Sequence, residues 1–156
     1  MRKNVILIIA LVISAFGIQA QDVKYPVVKG LKQLPNGWHK FSYAGTIFDV
    51  EVRDGYLIKG NVTWFDNSHY SGSFVGNKIS GKGTYTWSNG DRYEGAFRNN
   101  QRHGKGTMYW KDGRKYTGKW KNNFQNGKGK SYDPNGNLTA EGIWESAVLI
   151  KEKNKA

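Results

Sequence analysis

Residues 81–97 read GKGTYTWSNGDRYEGAF, and residues 104–120 read GKGTMYWKDGRKYTGKW, so one pattern returns after 23 residues. The glycines keep their places in both copies, and Trp87, Tyr93 and Phe97 are matched by aromatic residues, whereas several other positions vary. A third copy begins at Gly127, and an earlier copy ends near Phe74. A fixed period of this length is typical of proteins built from stacked structural repeats.

Each copy contains two short runs in which residues of different character alternate, at 92–97 and 105–110. Turn-forming residues separate the runs, as at Asn99-Asn100 and Asp112-Gly113. This pattern is typical of β-hairpins, and apolar residues do not recur at helical spacing in any copy. Because a lone hairpin is only marginally stable in water, the hairpins must pack against each other. The sequence therefore predicts an all-β fold, an elongated antiparallel meander of stacked β-hairpins.

The glycine and aromatic residues of each strand share one face, because successive residues point to opposite faces of a sheet. We expect the aromatic rings to lie over glycines, which have no side chain, and to form the packed side of the sheet. The residues predicted to carry this packing are Tyr70, Gly72, Phe74, Gly81, Gly83, Tyr93, Gly95, Phe97, Gly104, Gly106, Tyr116, Gly118, Trp120, Gly127, Gly129, Gly142 and Trp144.

The opposite face of the repeats is basic. Residues 78–130 hold 13 basic and 3 acidic residues, whereas residues 21–77 hold 6 and 5, so the excess positive charge lies on the best-formed copies. One interpretation is a generic solvated surface; the other is an anionic partner laid along this face. The predicted contact residues are Arg92, Lys105, Lys115, Lys119, Lys121 and Lys128.

The repeated motif resembles the MORN repeat (membrane occupation and recognition nexus). The resemblance rests on Tyr-x-Gly-x-Trp/Phe followed by Gly-x-Gly, and it extends from about Gly60 to Trp144. The last copy departs from the motif, since Ala140 replaces the tyrosine and Asp133 the tryptophan, as is common in terminal repeats. The resemblance implies an elongated sheet of hairpins with a scaffold or binding role, at membranes or through dimerisation, rather than catalysis.

The start of the chain predicts export. Arg2 and Lys3 precede a 14-residue run, residues 5–18, which is followed by Gln19 and Ala20. This order is typical of a secretory signal peptide, cleaved after Ala20; an uncleaved anchor is the alternative, but a membrane span needs about 20 residues. We therefore expect a secreted, bacterial-type protein that is periplasmic, envelope-associated or released.

The chain divides into five predicted segments. They are a signal helix and peptide at 1–20, a linker or docked arm at 21–37, a β-hairpin region or degenerate repeat at 38–59, MORN-like repeats at 60–147, and a terminal strand with a charged tail at 148–156. Before the repeats, strands are predicted at 38–43, 46–53 and 56–64, with Asp54-Gly55 as a two-residue hairpin turn.

No group of residues in the sequence points to catalysis, a cofactor or a metal. His39, His69 and His103 are far apart, and the chain has no cysteine. We therefore predict a non-catalytic binding or scaffold module of the cell envelope or extracellular space. Its expected partner is an anionic lipid surface or an acidic protein, with homodimerisation also open; export disfavours nucleic acid. The alternative is a glycan-binding module that uses the exposed aromatic residues Trp38, Trp64 or Trp87.

Overall fold

The computed structural model describes residues 22–24, 30–43 and 45–153, which include eleven strands of one open antiparallel sheet. The strands lie side by side in chain order, so each is hydrogen-bonded to the strands before and after it. They are β1 (Gly37–Tyr43), β2 (Thr46–Arg53), β3 (Tyr56–Thr63), β4 (His69–Val75), β5 (Lys78–Thr86), β6 (Arg92–Arg98), β7 (Gln101–Tyr109), β8 (Lys115–Lys121), β9 (Phe124–Tyr132), β10 (Leu138–Glu145) and β11 (Val148–Glu152). A short 3₁₀ helix, Leu31–Gln33, precedes β1. The predicted meander of hairpins is confirmed; the predicted signal helix lies outside the described residues.

Two-residue turns with left-handed backbone close the hairpins. Asp54 and Gly55, where the sequence predicts a turn, have φ angles of 50° and 77°. In the repeats, Asn99 and Asn100 hold the same positions, with φ angles of 49° and 64°. Positive φ at both central residues gives a turn whose twist matches that of the flanking strands. Asparagine is one of the few residues that tolerate this backbone conformation.

A glycine-centred bulge bends each repeat hairpin. The β6–β7 ladder shifts register where Gly104 lies, and Gly104 has a φ angle of 85°. Gly81 and Gly127 hold the same place in their hairpins, with φ angles of 90° and 95°. A Cβ atom added at Gly104 would meet Ala96 at 3.2 Å and no ring. The expectation that rings cover these three glycines is therefore wrong: the bulge requires glycine for its backbone conformation.

Most of the other repeat glycines do lie under tyrosine rings, but Gly142 does not, because a Cβ atom there would meet the Lys151 carbonyl oxygen and the Leu149 side chain. A Cβ atom added at Gly83 would meet the Tyr70 ring at 2.5 Å, and one at Gly106 would overlap the ring of Tyr93. Both tyrosines are fully buried. Tyr116 covers the following pair of strands in the same way. Each hairpin is thus packed by a ring resting directly on the backbone of the next strand.

Edge-to-face contacts join the rings of successive hairpins into what we call the aromatic stack. Tyr93 contacts Phe97 of its own hairpin, with 5.0 Å between ring centroids, and Trp120 of the next hairpin, with 5.3 Å. The series runs Phe74, Tyr70, Phe97, Tyr93, Trp120, Tyr116 and Trp144. Each such pair adds about 0.5–1.5 kcal/mol beyond area burial. Three of the six ring pairs lie within a strand, and the other three join successive hairpins, so the stack ties the repeats together.

Burial keeps the tyrosine hydroxyls protonated, and each finds an acceptor. The Tyr70 hydroxyl donates to the carbonyl oxygen of Ser73 at 2.8 Å, and Tyr93 donates to that of Ala96 at 3.0 Å. Burial raises the pKa of Tyr116 to about 12. These phenols therefore remain hydrogen-bond donors at neutral pH, which satisfies the polar end of each buried ring.

The second turn residue of each repeat hairpin bonds the preceding hairpin. The Asn100 side-chain oxygen accepts from the Ile79 backbone N–H at 2.8 Å, and the Asn100 N–H donates to the Ile79 carbonyl at 2.9 Å. The side-chain bond recurs between Asn77 and Leu57 and between Asn123 and Arg102. At the last hairpin Ala147 keeps only the backbone bond, to Gln125. This asparagine clasp is a second link between repeats.

Replacing Asn100 with glycine is expected to destabilise the protein by about 1–3 kcal/mol, because the Ile79 N–H loses its acceptor. Glycine tolerates positive φ, so the change leaves the turn conformation intact. Asn99→Gly is the matched control, since the exposed Asn99 side chain makes no bond of this kind within the described residues. Urea denaturation measures both variants, and equal losses would show that the clasp contributes nothing.

Candidate binding face

A groove of about 1110 Å³, here called the lysine groove, crosses the C-terminal half of the sheet on the face opposite the aromatic stack. Strands β6 to β11 and the residue after β11 line it. Its charged side chains are six lysines and three glutamates: Lys105, Lys119, Lys128, Lys130, Lys151, Lys153, Glu94, Glu141 and Glu152. Positive charge therefore exceeds negative charge within one concave strip.

Four exposed lysines form a row across the strands, here called the lysine row. Lys105 of β7 lies directly opposite Lys119 of β8. Lys128 of β9 lies opposite Ile143 of β10, which in turn lies opposite Lys151 of β11. Within the part of the chain that the structure describes, none of the four lysines makes an ion pair. Like charges directly opposite each other destabilise a sheet, so an anionic ligand would relieve this arrangement.

Two of the three groove glutamates are already paired. The Glu141 carboxylate lies 3.0 Å from Lys153 Nζ and 3.4 Å from Lys130 Nζ. The hydrogen bond from Lys153, together with Lys130, lowers the pKa of Glu141. Glu94 pairs with Arg92. These carboxylates therefore neutralise cations beside the lysine row and leave the row itself uncompensated.

The floor of the groove is hydroxyl groups and bare backbone. Thr107 and Thr117 face each other on β7 and β8, with their hydroxyl oxygens 3.0 Å apart. Gly106 and Gly118 lie beside them, also directly opposite each other. A Cβ atom at either glycine would point towards the Tyr93 or Tyr116 ring on the aromatic side, so both glycines present only backbone to the groove.

Three of the predicted contact residues line the groove, namely Lys105, Lys119 and Lys128. The other three do not. The Arg92 guanidinium lies 4.4 Å from the Tyr109 ring centroid, and Lys115 Nζ lies 4.3 Å from that of Tyr132. Lys121 lies at the turn of the β8–β9 hairpin, opposite Phe124. They share the basic face, but the structure does not bring them to the groove.

Sequence reasoning did not select Lys130, Lys151 or Lys153 as contact residues. Lys130 alternates with Lys128 on β9, so strand periodicity could have found it. Lys151 and Lys153 follow the last repeat, where no repeat register predicts the pairing of β11. Their place in the groove depends on the β10–β11 ladder.

The aromatic residues suggested for glycan binding do not form one exposed surface. Trp38 is 57% exposed, but Trp64 is 1% and Trp87 9% exposed. The expectation of exposed Trp64 and Trp87 is therefore wrong. Residues 22–24 explain part of the burial of Trp87: its indole N–H donates to the carbonyl oxygen of Asp22 at 3.2 Å, and Val23 belongs to the same buried cluster.

One buried cation lies on the opposite side from the groove. The Arg102 guanidinium lies 4.7 Å from the Trp120 ring centroid and 5.4 Å from that of Trp87, and it donates to the Asn123 carbonyl oxygen at 2.9 Å. Burial lowers its pKa to about 10, so it stays charged at neutral pH. Ile79 and Gln125 hold the equivalent places in the neighbouring copies, so the repeat pattern does not predict an arginine here.

The described residues contain neither a membrane-spanning helix nor a metal-binding cluster. They contain no helix with the length and apolar character that a membrane crossing requires. Nor do they gather three or more histidine, cysteine, aspartate or glutamate side chains into a group that could hold a metal ion.

Comparison with known families agrees with the repeat pattern. The family model of the MORN repeat matches residues 70–92, 93–113 and 116–138. These three segments cover most of β4 and β8 and all of β5, β6, β7 and β9. No curated protein sequence matches the chain. Three segments of the chain are therefore similar to MORN repeats, which are generally protein- or membrane-binding modules and generally non-catalytic.

Proposed function

We propose that this chain is a non-catalytic binding or scaffold module that contacts an anionic partner through the lysine groove. The carrying observation is the lysine row, in which Lys105 and Lys119 oppose each other without an acidic neighbour to pair with. An anionic lipid surface and an acidic protein both present the required charge. The MORN match supports the binding role, since this repeat is generally a binding module.

Neutralising three of the four lysines of the lysine row is expected to abolish most anion binding; the resulting protein is called the lysine-row variant. Each lysine near an anionic surface contributes on the order of 1 kcal/mol, so the triple change Lys105→Gln, Lys119→Gln and Lys128→Gln should weaken binding roughly 100-fold. Flotation with phosphatidylserine vesicles and pull-down on immobilised poly-L-glutamate, each at low and moderate salt, measure the two kinds of partner. Salt should weaken both interactions, because exposed charges are screened.

The matched control neutralises Lys40, Lys78 and Lys111, which are exposed and lie outside the groove. This control has the same net charge as the lysine-row variant, and it should still bind the vesicles and poly-L-glutamate. The melting temperature of the lysine-row variant should be no lower than that of the wild type, since the variant removes directly opposed like charges. If both variants lose binding equally, general charge and not the groove is responsible.

We also propose that the protein is exported, with residues 1–20 as a cleaved signal peptide. The basic start, the apolar run and Ala20 support this proposal. N-terminal sequencing of the protein purified from the producing cells should begin at Gln21. A mature chain that still begins at Met1 would contradict it.

A further inference from the structure

Building on the proposed function, we propose that the anion taken by the lysine groove is a linear acidic polysaccharide with one carboxylate per sugar. The polysaccharide would lie across the strands, along the lysine row, with the hydroxyl groups of its sugars on the groove floor. This assigns a ligand class to the groove, and it depends on the groove being an anion-binding site.

The direction and spacing of the lysine row carry the first step. Lys105, Lys119 and Lys128 come from the consecutive strands β7, β8 and β9, and Lys151 from β11. Neighbouring strands are about 4.8 Å apart, so a straight ligand meets a new lysine at about that interval. A six-membered sugar linked through opposite ring carbons lengthens its chain by a similar distance. Successive sugars of an extended chain alternate in orientation, so carboxylates on one side recur about every two strands, the interval that separates Lys105 on β7, Lys128 on β9 and Lys151 on β11.

Other anions match this geometry less well. Side chains on one side of an extended peptide recur every two residues, at about 6.7 Å, so acidic side chains fall out of step with the strands. A flat lipid surface reaches the rim of a concave groove but not its floor. The lysines of the row would then be neutralised while the hydroxyl groups of Thr107 and Thr117 gained no partner.

The chemistry of the floor carries the second step. Across the strands, the hydroxyl groups of Thr107 and Thr117 lie between Glu94 and Lys130. Lys105 and Lys119 lie two residues away along the same strands, so the floor suits a ligand that carries both hydroxyl groups and negative charge. Ile143, which takes the place of a lysine on β10, offers an apolar contact for the C–H face of a sugar.

The test is calorimetric titration of the full chain with an α-1,4-linked galacturonic acid oligomer long enough to span β7 to β11. Three comparison probes are used: the same oligomer with its carboxylates methyl-esterified, poly-L-glutamate with an equal number of carboxylates, and phosphatidylserine vesicles. The uronic acid oligomer should bind about tenfold more tightly than poly-L-glutamate, and esterification should abolish binding.

A second variant separates sugar recognition from charge. Thr107→Val with Thr117→Val removes the floor hydroxyls, keeps every lysine, and suits strand positions because valine favours β-structure. It should weaken binding of the uronic acid oligomer about tenfold and leave poly-L-glutamate binding unchanged. Melting curves that coincide with the wild type show that the fold is kept.

Two outcomes separate the inference from the function on which it rests. If poly-L-glutamate or vesicles bind as tightly as the oligomer, and the lysine-row variant loses that binding, the groove binds anions but the proposal of a polysaccharide ligand is wrong. If no probe binds in a way that depends on the lysine row, both fail. If the threonine variant weakens the binding of the uronic acid oligomer and of poly-L-glutamate equally, the proposal of a polysaccharide ligand is also wrong.

Discussion

Gly95→Val is expected to destabilise the protein by more than about 3 kcal/mol, at or beyond the upper end of ordinary overpacking. A Cβ atom at Gly95 would overlap the Gly106 Cα atom and would lie 2.7 Å from the Lys105 carbonyl oxygen. Both contacts are to backbone in the middle of a ladder, so no side-chain rotation relieves them. Strands β6 and β7 would have to separate, and the Tyr93 ring would then lose its contact with Gly106. Urea denaturation followed by tryptophan fluorescence measures the loss.

Ala96→Val is the matched control, because Ala96 is the next residue of the same strand and points to the opposite face. Valine has a high preference for strands, so this change should alter stability by no more than about 0.5 kcal/mol. The contrast tests the face assignment directly. Equal losses of stability in the two variants would contradict the face assignment, because the aromatic face and the basic face would then tolerate valine equally well.

Tyr93→Ala is expected to cost about 3–5 kcal/mol, the range for removing a buried aromatic ring. The ring contacts Phe97 and Trp120 and covers Gly106, so its loss opens a cavity at the junction of two hairpins. The aromatic stack would then be interrupted in its middle. Thermal melting should show a lower midpoint and a broader transition, since the repeats on either side are less strongly coupled.

Tyr109→Ala is the control for ring removal in the same pair of strands. Tyr109 is partly exposed on the basic face, where its ring lies under the Arg92 guanidinium. Such an exposed cation–π contact is worth about 0.5–1 kcal/mol, so the loss should be of that size. If Tyr109→Ala destabilised as much as Tyr93→Ala, the aromatic stack would not be the main link between hairpins.

The sequence predicted the architecture well because the architecture is repetitive. One period identifies the hairpins, and alternation within a strand assigns Tyr93 and Gly106 to one face and Lys105 to the other. The turn at Asp54-Gly55 followed from the preference of these residues for positive φ. Each of these inferences uses residues that are close in the chain, where local chemistry decides the structure.

The parts that sequence reasoning missed depend on contacts between distant residues. Gly104 and Gly106 look alike in the sequence, yet one bends the hairpin and the other lies under a ring; only the register of the ladder separates them. The burial of Trp87 depends on Asp22, 65 residues earlier. The groove, likewise, includes Lys151 because β11 pairs with β10 after the last copy ends.

The order of the strands also has a consequence for how the molecule acquires its structure. Since every strand pairs with its chain neighbours, each hairpin can form as soon as its two strands are available, and sheets with such local contacts fold fast. The N-terminal arm is different, because the Lys24 N–H donates to the Tyr85 hydroxyl across 61 residues. Residues 22–24 can therefore take their place only after β5 has formed, so a segment that precedes the sheet in sequence is ordered after part of the sheet.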